Sequence, residues 1–203
     1  MSWADHFLAF DVETSGFHKE ARVLELAIVE FVCGEPAQAE TFLFSPPGLD
    51  WEDERTKKAL EVNGLDPDEL RQSPPFEFRF PRVQECLAWA PIWVAHNTAF
   101  DIRMLDREFS RLNLATPRPR DLLACTLSLE RHLRQAPRTA SGFKLAEVAC
   151  ARGVQIGAML HRAHVDATLA GRIFTEQSRE LPEALEDVQR VAGAAWAQQT
   201  LLR

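Results

Sequence analysis

The chain of 203 residues contains no tyrosine, so no mechanism that needs a phenolic side chain is open to it. It also lacks a long apolar run; nothing approaches the roughly 20 residues required to span a bilayer. The opening residues, Met1-Ser2-Trp3-Ala4-Asp5-His6, hold neither a basic region nor an apolar core, so no secretory signal is expected. Cysteine is scarce. Cys33, Cys86, Cys125 and Cys150 are far apart and form no close pair. They are expected as reduced, mostly buried thiols of a cytoplasmic protein, and their scatter argues against a zinc site. An excess of positive charge is missing as well. A net charge of −7 argues against a protein that coats nucleic acid by bulk charge. There is no internal repeat and no low-complexity segment.

What is present suits a globular protein. The length and a 46% hydrophobic content fit one packed domain, expected over residues 1–180, with a C-terminal helix over 181–203 packed on it or extending from it. The charge is unevenly placed. Residues 103–144 hold nine Lys/Arg against four acids, a local +5 that leaves −12 for the remainder of a −7 chain. Such a run is either a phosphate-facing edge or a solvated helix face.

The stretch Phe10-Asp11-Val12-Glu13-Thr14-Ser15-Gly16-Phe17 organises the chain. Phe7-Leu8-Ala9-Phe10 before it is apolar on both faces, as a strand inside a sheet is. Thr14-Ser15-Gly16 reads as a turn. Asp11 and Glu13 therefore fall at a strand end, and their spacing of two puts both carboxylates on one face. Two like charges so close repel unless something cationic lies between them. Hard oxygen ligands suit Mg2+ or Mn2+. A surface turn rich in acids is the competing reading of this stretch alone.

Further apolar runs at Val23–Val32 and Glu40–Phe44, joined by short links, predict an antiparallel meander with the first strand. Residues 45–81 are proline-rich and read as irregular connection around one short helix near 53–62. A helix over 82–90 leads to a short buried strand, Ile92–Ala95, expected parallel to its neighbour. Asn97 is a plausible N-cap for a helix over 98–112, with Asp101 in its first turn. A fifth strand at Leu122–Cys125, helices over 126–133, 144–152 and 165–179, and a last helix opened by Pro182 complete the pattern.

Acids thus stand at element ends in three separated places: Asp11 with Glu13, Asp101, and Asp166. Such a set suits two hard metal ions, which can clamp the attacking and leaving oxygens of a phosphodiester. His161 precedes Asp166 by five residues, a helical rotation of roughly 140°, so the two cannot share a helix face. His161 is expected on the loop after Gly157, leaning over the site, where it could take a proton from water. A solvated loop histidine is the alternative.

Taken together the residues resemble a known family. Asp11-Val12-Glu13-Thr14 is similar to a first exonuclease motif, His96-Asn97-Thr98-Ala99-Phe100-Asp101 to a second, and His161-Arg162-Ala163-His164-Val165-Asp166-Ala167 to a third. These are the motifs of the DnaQ-like 3′–5′ exonucleases of the DEDDh class, which include the polymerase III proofreading subunit and ribonuclease T. The resemblance implies an α/β, ribonuclease H-like fold, with a mixed five-stranded sheet flanked by helices. It implies that Asp11, Glu13, Asp101 and Asp166 hold two Mg2+ ions, replaceable by Mn2+, and that His161 is the general base. A sister class uses a tyrosine four residues before the last aspartate. That position is Arg162, so the sister class is excluded.

The resemblance further implies that the backbone at Thr14 contacts the terminal 3′-hydroxyl and that Phe17 wedges against the last base, with Asn97 beside the substrate. Packing and capping explain Phe17 and Asn97 as well. Glu25 matches a structural position, and His164 is expected at the surface. Cys125-Thr126-Leu127 departs from the Asp-Thr-Leu of some relatives, which weakens a detailed substrate analogy. The implied activity is release of nucleoside monophosphates from single-stranded 3′ ends, with DNA favoured. RNA trimming and a polymerase-bound proofreading role stand as alternatives. Gln198-Gln199-Thr200-Leu201-Leu202 resembles a sliding-clamp peptide without its terminal aromatic, so a DNA polymerase or sliding clamp is a candidate partner. No membrane association is expected.

Overall fold

Strand β1 (His6–Thr14) lies in the middle of the sheet because its side chains are apolar in both directions. Phe7 and Ala9 enter one core, while Leu8, Phe10 and Val12 enter the other. The computed structural model describes residues 2–156 and 161–200, with Trp3 and 194–200 described by backbone alone. β2 (Val23–Val32) and β3 (Glu35–Leu43) continue from β1 as an antiparallel meander. β4 (Ile92–Ala95) and β5 (Leu122–Cys125) run parallel to β1 on its other side. The sheet order is β3-β2-β1-β4-β5, the mixed five-stranded sheet expected.

Helices cover both faces. On one side α3 (Phe76–Leu87) and α4 (Thr98–Arg111) bury Val83, Leu87, Met104, Leu105 and Phe109 against Leu8, Phe10 and Trp93. Each such fully buried apolar side chain stabilises the fold by about 1.5–3 kcal/mol. On the other side α7 (Ala163–Ser178) crosses β1 and β2. Its Ala163, Ala167, Ala170 and Gly171 keep that crossing close. A Cβ added at Gly171 would stand 2.2 Å from the Phe31 ring, so nothing larger fits without moving the helix. α5 (Thr126–Leu133), α6 (Leu145–Ala151) and α8 (Leu185–Thr200) complete this layer, α8 placing Val188 and Ala192 in the core beside β5.

Three expectations are corrected. The β2–β3 link is only Cys33-Gly34, and β3 begins at Glu35 rather than near Glu40. Both turn residues have positive φ (53° and 81°), the backbone of a tight two-residue hairpin. β3 is an edge strand with an exposed first half, so Pro36 is tolerated and no apolar pattern announces it. Residues 45–81 hold more than one helix: α1 (Glu54–Asn63), α2 (Pro67–Gln72) and the start of α3. Prolines open two of these helices, Pro67 in the first turn of α2 and Pro75 at the cap of α3, whereas Asp53 caps α1 and Pro81 lies inside α3, where it made the sequence look broken. The thiols are not mostly buried: Cys86 and Cys125 are, but Cys33 and Cys150 are exposed. Among the described residues no helix is long and apolar enough to cross a membrane.

Candidate active site

β1 pairs with β4 only through Leu8 and Ala9, then runs on to Thr14 without a neighbour on that side. The sheet opens there. The Val12 N–H, left without a strand partner in the gap, donates to Asp101 Oδ1 at 3.3 Å. α4 can deliver Asp101 because its start is fastened to both parallel strands. The Thr98 hydroxyl bonds the carbonyls of Ala95 (3.0 Å) and Ala124 (2.9 Å). Asn97 does not serve as the expected side-chain cap. It adopts a left-handed backbone (φ 64°), its side chain makes no capping bond, and the Asn97 carbonyl instead accepts from the Phe100 N–H at 2.8 Å. His96 is fixed by two bonds, Nε2–H donating to the Phe143 carbonyl and Nδ1 accepting from Thr126, and burial pushes its pKa down to about 4.

Asp11 and Glu13 occupy the same face of β1, the face α7 covers, with Val12 buried between them. α7 brings Asp166 to that face in its first turn. Asp101 arrives from the opposite layer, so the four carboxylates converge on one strand end. Their electrostatics record the crowding. Burial, then the charges of Asp101, Glu13, Asp166 and Glu25, holds the Asp11 carboxyl well above its usual range. Glu13 is pushed up to about 8, by burial first and then by Asp166, Glu25 and Asp101, with Arg162 pulling the other way. Burial pushes Asp101 up to about 8 against the bonds that its own and the Val12 backbone donate. Asp166 is raised by burial, with His161 opposing. Asp101 Oδ2 and Asp166 Oδ1 are buried without a hydrogen-bond partner. Crowded carboxylates with orphaned oxygens are the donor set a hard divalent cation satisfies.

His161 stands outside α7, exposed, with a left-handed backbone (φ 67°). One ring nitrogen lies with carboxylate oxygens of Glu13 and Asp166 in a group whose atoms are all within 4.8 Å of one another. Sequence reasoning left Glu25 as structural and gave Arg162 no role, yet both build this corner. Glu25 faces Glu13 across the β1–β2 ladder and is 1% exposed. Arg162 grips its carboxylate, with Nη2 donating to Oε1 at 2.9 Å and Nε donating to Oε1 at 3.2 Å. The Ala163 N–H at the start of α7 donates to Oε2 at 3.0 Å. Glu25 thereby sets where α7 begins, and with it Asp166 and His161. The only sequence signal was its match to a family glutamate on the second strand; that it stands opposite Glu13 is seen in the strand register.

Thr14 closes its own turn, its hydroxyl donating to the Gly16 carbonyl at 2.9 Å, and the Asn63 amide of α1 holds the Thr14 carbonyl at 3.1 Å. Phe17 is 88% exposed, too open for a packing role, and its ring centroid is 5.5 Å from that of Phe100. The pair borders a largely apolar cleft of about 480 Å³ next to Glu13, walled by Lys58, Ala59, Val62 and Asn63 of α1. Four of the nine basic side chains of the run are ion-paired within the fold: Arg111 with Glu108, Arg118 with Asp106, Arg120 with Asp121, and Arg134 with Glu130. Cys125 is buried at the start of α5. Of the clamp-like tail, Leu201 and Leu202 and the side chains of 198–200 lie outside the described residues.

A mixed sheet that ends in buried, metal-competent carboxylates at the opening between β1 and β4 defines the class of metal-dependent nucleases. The exonuclease family model matches residues 8–174, most of the chain, and the protein belongs to that family. Its motif set is that of the DnaQ-like, DEDDh exonucleases. No curated protein matches the chain by sequence. Solved structures share the fold. Exonuclease X in complex with 5′ overhanging duplex DNA is 19% identical, with TM-score 0.67 over 92% of this chain and 99% of that one. The nuclease domain of 3′hExo, a DEDDh family member bound to rAMP, is 13% identical, with TM-score 0.71 over 87% and 92%. S. pombe Pop2p in its Mg2+- and Mn2+-bound form is 13% identical, with TM-score 0.61 over 84% and 81%.

Proposed function

We propose that this protein hydrolyses phosphodiester bonds stepwise from 3′ ends of nucleic acid, releasing nucleoside monophosphates, with single-stranded DNA ends favoured. The observation that carries the reading is the convergence of Asp11, Glu13, Asp101 and Asp166, each raised by burial and three of them by neighbouring charge as well, around orphaned carboxylate oxygens. These four residues would hold two Mg2+ ions, for which Mn2+ can substitute. Bound there, the ions supply charge neutralisation at the scissile phosphate and lower the pKa of water. His161, exposed beside Glu13 and Asp166, takes the proton from the attacking water at a ring nitrogen. The Thr14 turn presents backbone to the terminal 3′-hydroxyl, Phe17 and Phe100 offer ring faces to the last base, and Asn97 stands at the mouth of the β1–β4 opening. A frayed end enters such a strand-end site more easily than a continuous duplex. The fold is shared with a nuclease complexed with overhanging DNA and also with a 3′-exonuclease that recognises a histone mRNA stem-loop, so the preference for DNA is left to the assay.

The test is a ladder assay on end-labelled single- and double-stranded DNA and RNA. Activity requires Mg2+ or Mn2+, vanishes in excess chelator, shortens only 3′ ends, and is abolished by Asp11→Asn or Asp166→Asn in proteins that remain folded. Full activity in chelator, or nicking of a closed circle, overturns the reading. Faster trimming of RNA than DNA moves the substrate to RNA.

A further inference from the structure

Two of the four carboxylates also belong to a second, overlapping donor set that adds His161. Among the described residues one group of three potential ligands lies close enough to hold a single ion, and it mixes chemistries: Glu13, His161 and Asp166. Asp166 is only 9% exposed, and its Oδ1 has no partner. His161 is exposed and stands ahead of the helix, so its ring can swing without disturbing α7. Donors around a tetrahedral zinc ion lie about 3.3 Å apart, given metal–ligand distances near 2.0–2.2 Å. The present group, within 4.8 Å, is wider than that spacing, so holding an ion requires the exposed His161 ring and the Glu13 side chain to turn inward.

Two carboxylates and one imidazole are a poor match to Mg2+, which prefers oxygen and octahedral geometry. They match Zn2+ and other late first-row divalent ions, which take imidazole and bind more tightly at mixed sites. A ring nitrogen coordinated to such an ion cannot accept a proton from water.

We propose that Zn2+ binds to Glu13, Asp166 and His161 as an inhibitory ligand set, placing the enzyme in a resting form in which the general base is itself a metal ligand. The scattered cysteines play no part. The inference rests on the proposed role of His161 as base, but its binding arm does not depend on activity.

The test uses metal-free full-length protein. Co2+, a spectroscopic stand-in for zinc, is titrated and its visible d–d bands recorded; Zn2+ and Mn2+ affinities are measured by calorimetry. His161→Asn and His161→Gln are compared with wild type and with His164→Asn. Both His161 variants are expected to lose the tetrahedral Co2+ bands and to bind Zn2+ at least about tenfold more weakly, while Mn2+ affinity changes less than about twofold. His164→Asn binds all three ions as wild type does. In wild type, micromolar Zn2+ suppresses turnover in millimolar Mg2+, and a zinc chelator restores it. Undiminished Zn2+ affinity in both His161 variants overturns the site. Parallel loss of Zn2+ and Mn2+ affinity overturns the separation of the two donor sets, and zinc that binds through His161 without slowing turnover overturns the resting form. Failure of the nuclease reading shows differently, as wild type with no Mg2+-dependent cleavage at all.

Discussion

His161 and Phe17 are both exposed where a purely structural residue would be covered, and each has a separable consequence. His161→Ala removes the proton acceptor but no carboxylate. Turnover is expected to fall by about 10²–10⁴ with nucleic-acid affinity nearly intact, in single-turnover kinetics set beside a binding titration. Substitution of His164, whose side chain is exposed on the first turn of α7, does far less. Equal losses at both histidines would mean that the base is misassigned. Phe17→Ala strips a stacking face and leaves the metal ligands alone. It is expected to weaken substrate binding by about 1–3 kcal/mol, read in KM, with metal affinity unchanged. Unchanged KM would remove Phe17 from the substrate contacts.

Elements place these residues, and the start of α7 is the decisive one. Arg162 and the Ala163 N–H both converge on the Glu25 carboxylate of β2. Glu25→Gln keeps the shape but leaves Arg162 without its ion partner and weakens the grip on the first turn of α7. Arg162 is about a third exposed, which tempers the loss. A destabilisation of about 1–3 kcal/mol is expected. Because Asp166 and His161 ride on this turn, turnover and Mn2+ affinity are expected to drop by about 10–100-fold while KM stays close to wild type. Chemical denaturation, Mn2+ titration and steady-state kinetics on the same variant measure this. A variant destabilised but catalytically normal would reduce Glu25 to a packing role.

Across the whole molecule, the carboxylate cluster couples folding, metal and pH. Glu13 and Asp101 sit near 8 in the folded protein, against ordinary values of 4.5 and 3.8. The metal-free folded state therefore binds more protons than the unfolded chain between those limits. The contribution of these two groups to stability is full below about pH 4 and is lost as pH rises through about 8. A bound divalent cation replaces those protons. Its affinity rises with pH across the same window, and binding releases protons to the buffer. Thermal melts at pH 5 and pH 8, with and without Mg2+, are expected to show the melting temperature dropping with pH in chelator and much less with metal. Asp11→Asn relieves part of the repulsion and stabilises the metal-free protein at pH 8, by about 1.4 kcal/mol for each pKa unit relieved. A metal-free protein more stable at pH 8 than at pH 5 contradicts this linkage.

The sequence by itself determined the strands, their alternation and three acidic motifs. These are local: a spacing of two places Asp11 and Glu13 on one face whatever surrounds them, and apolar runs on both faces mark a central strand. It also fixed His161 off the helix, since five residues do not return to the same face. It misjudged residues 45–81, where prolines opened helices rather than breaking them, and the edge strand β3, whose exposed half carries no apolar signal. Only the tertiary structure decided what crosses the sheet. It brought Asp101 from one layer and Asp166 from the other to the same strand end. It set Glu25 under Arg162 across 137 positions of sequence, and the Phe17 ring beside that of Phe100. The raised carboxyl pKa values belong to this level as well, because desolvation and repulsion depend on which charges folding gathers and how much water it removes.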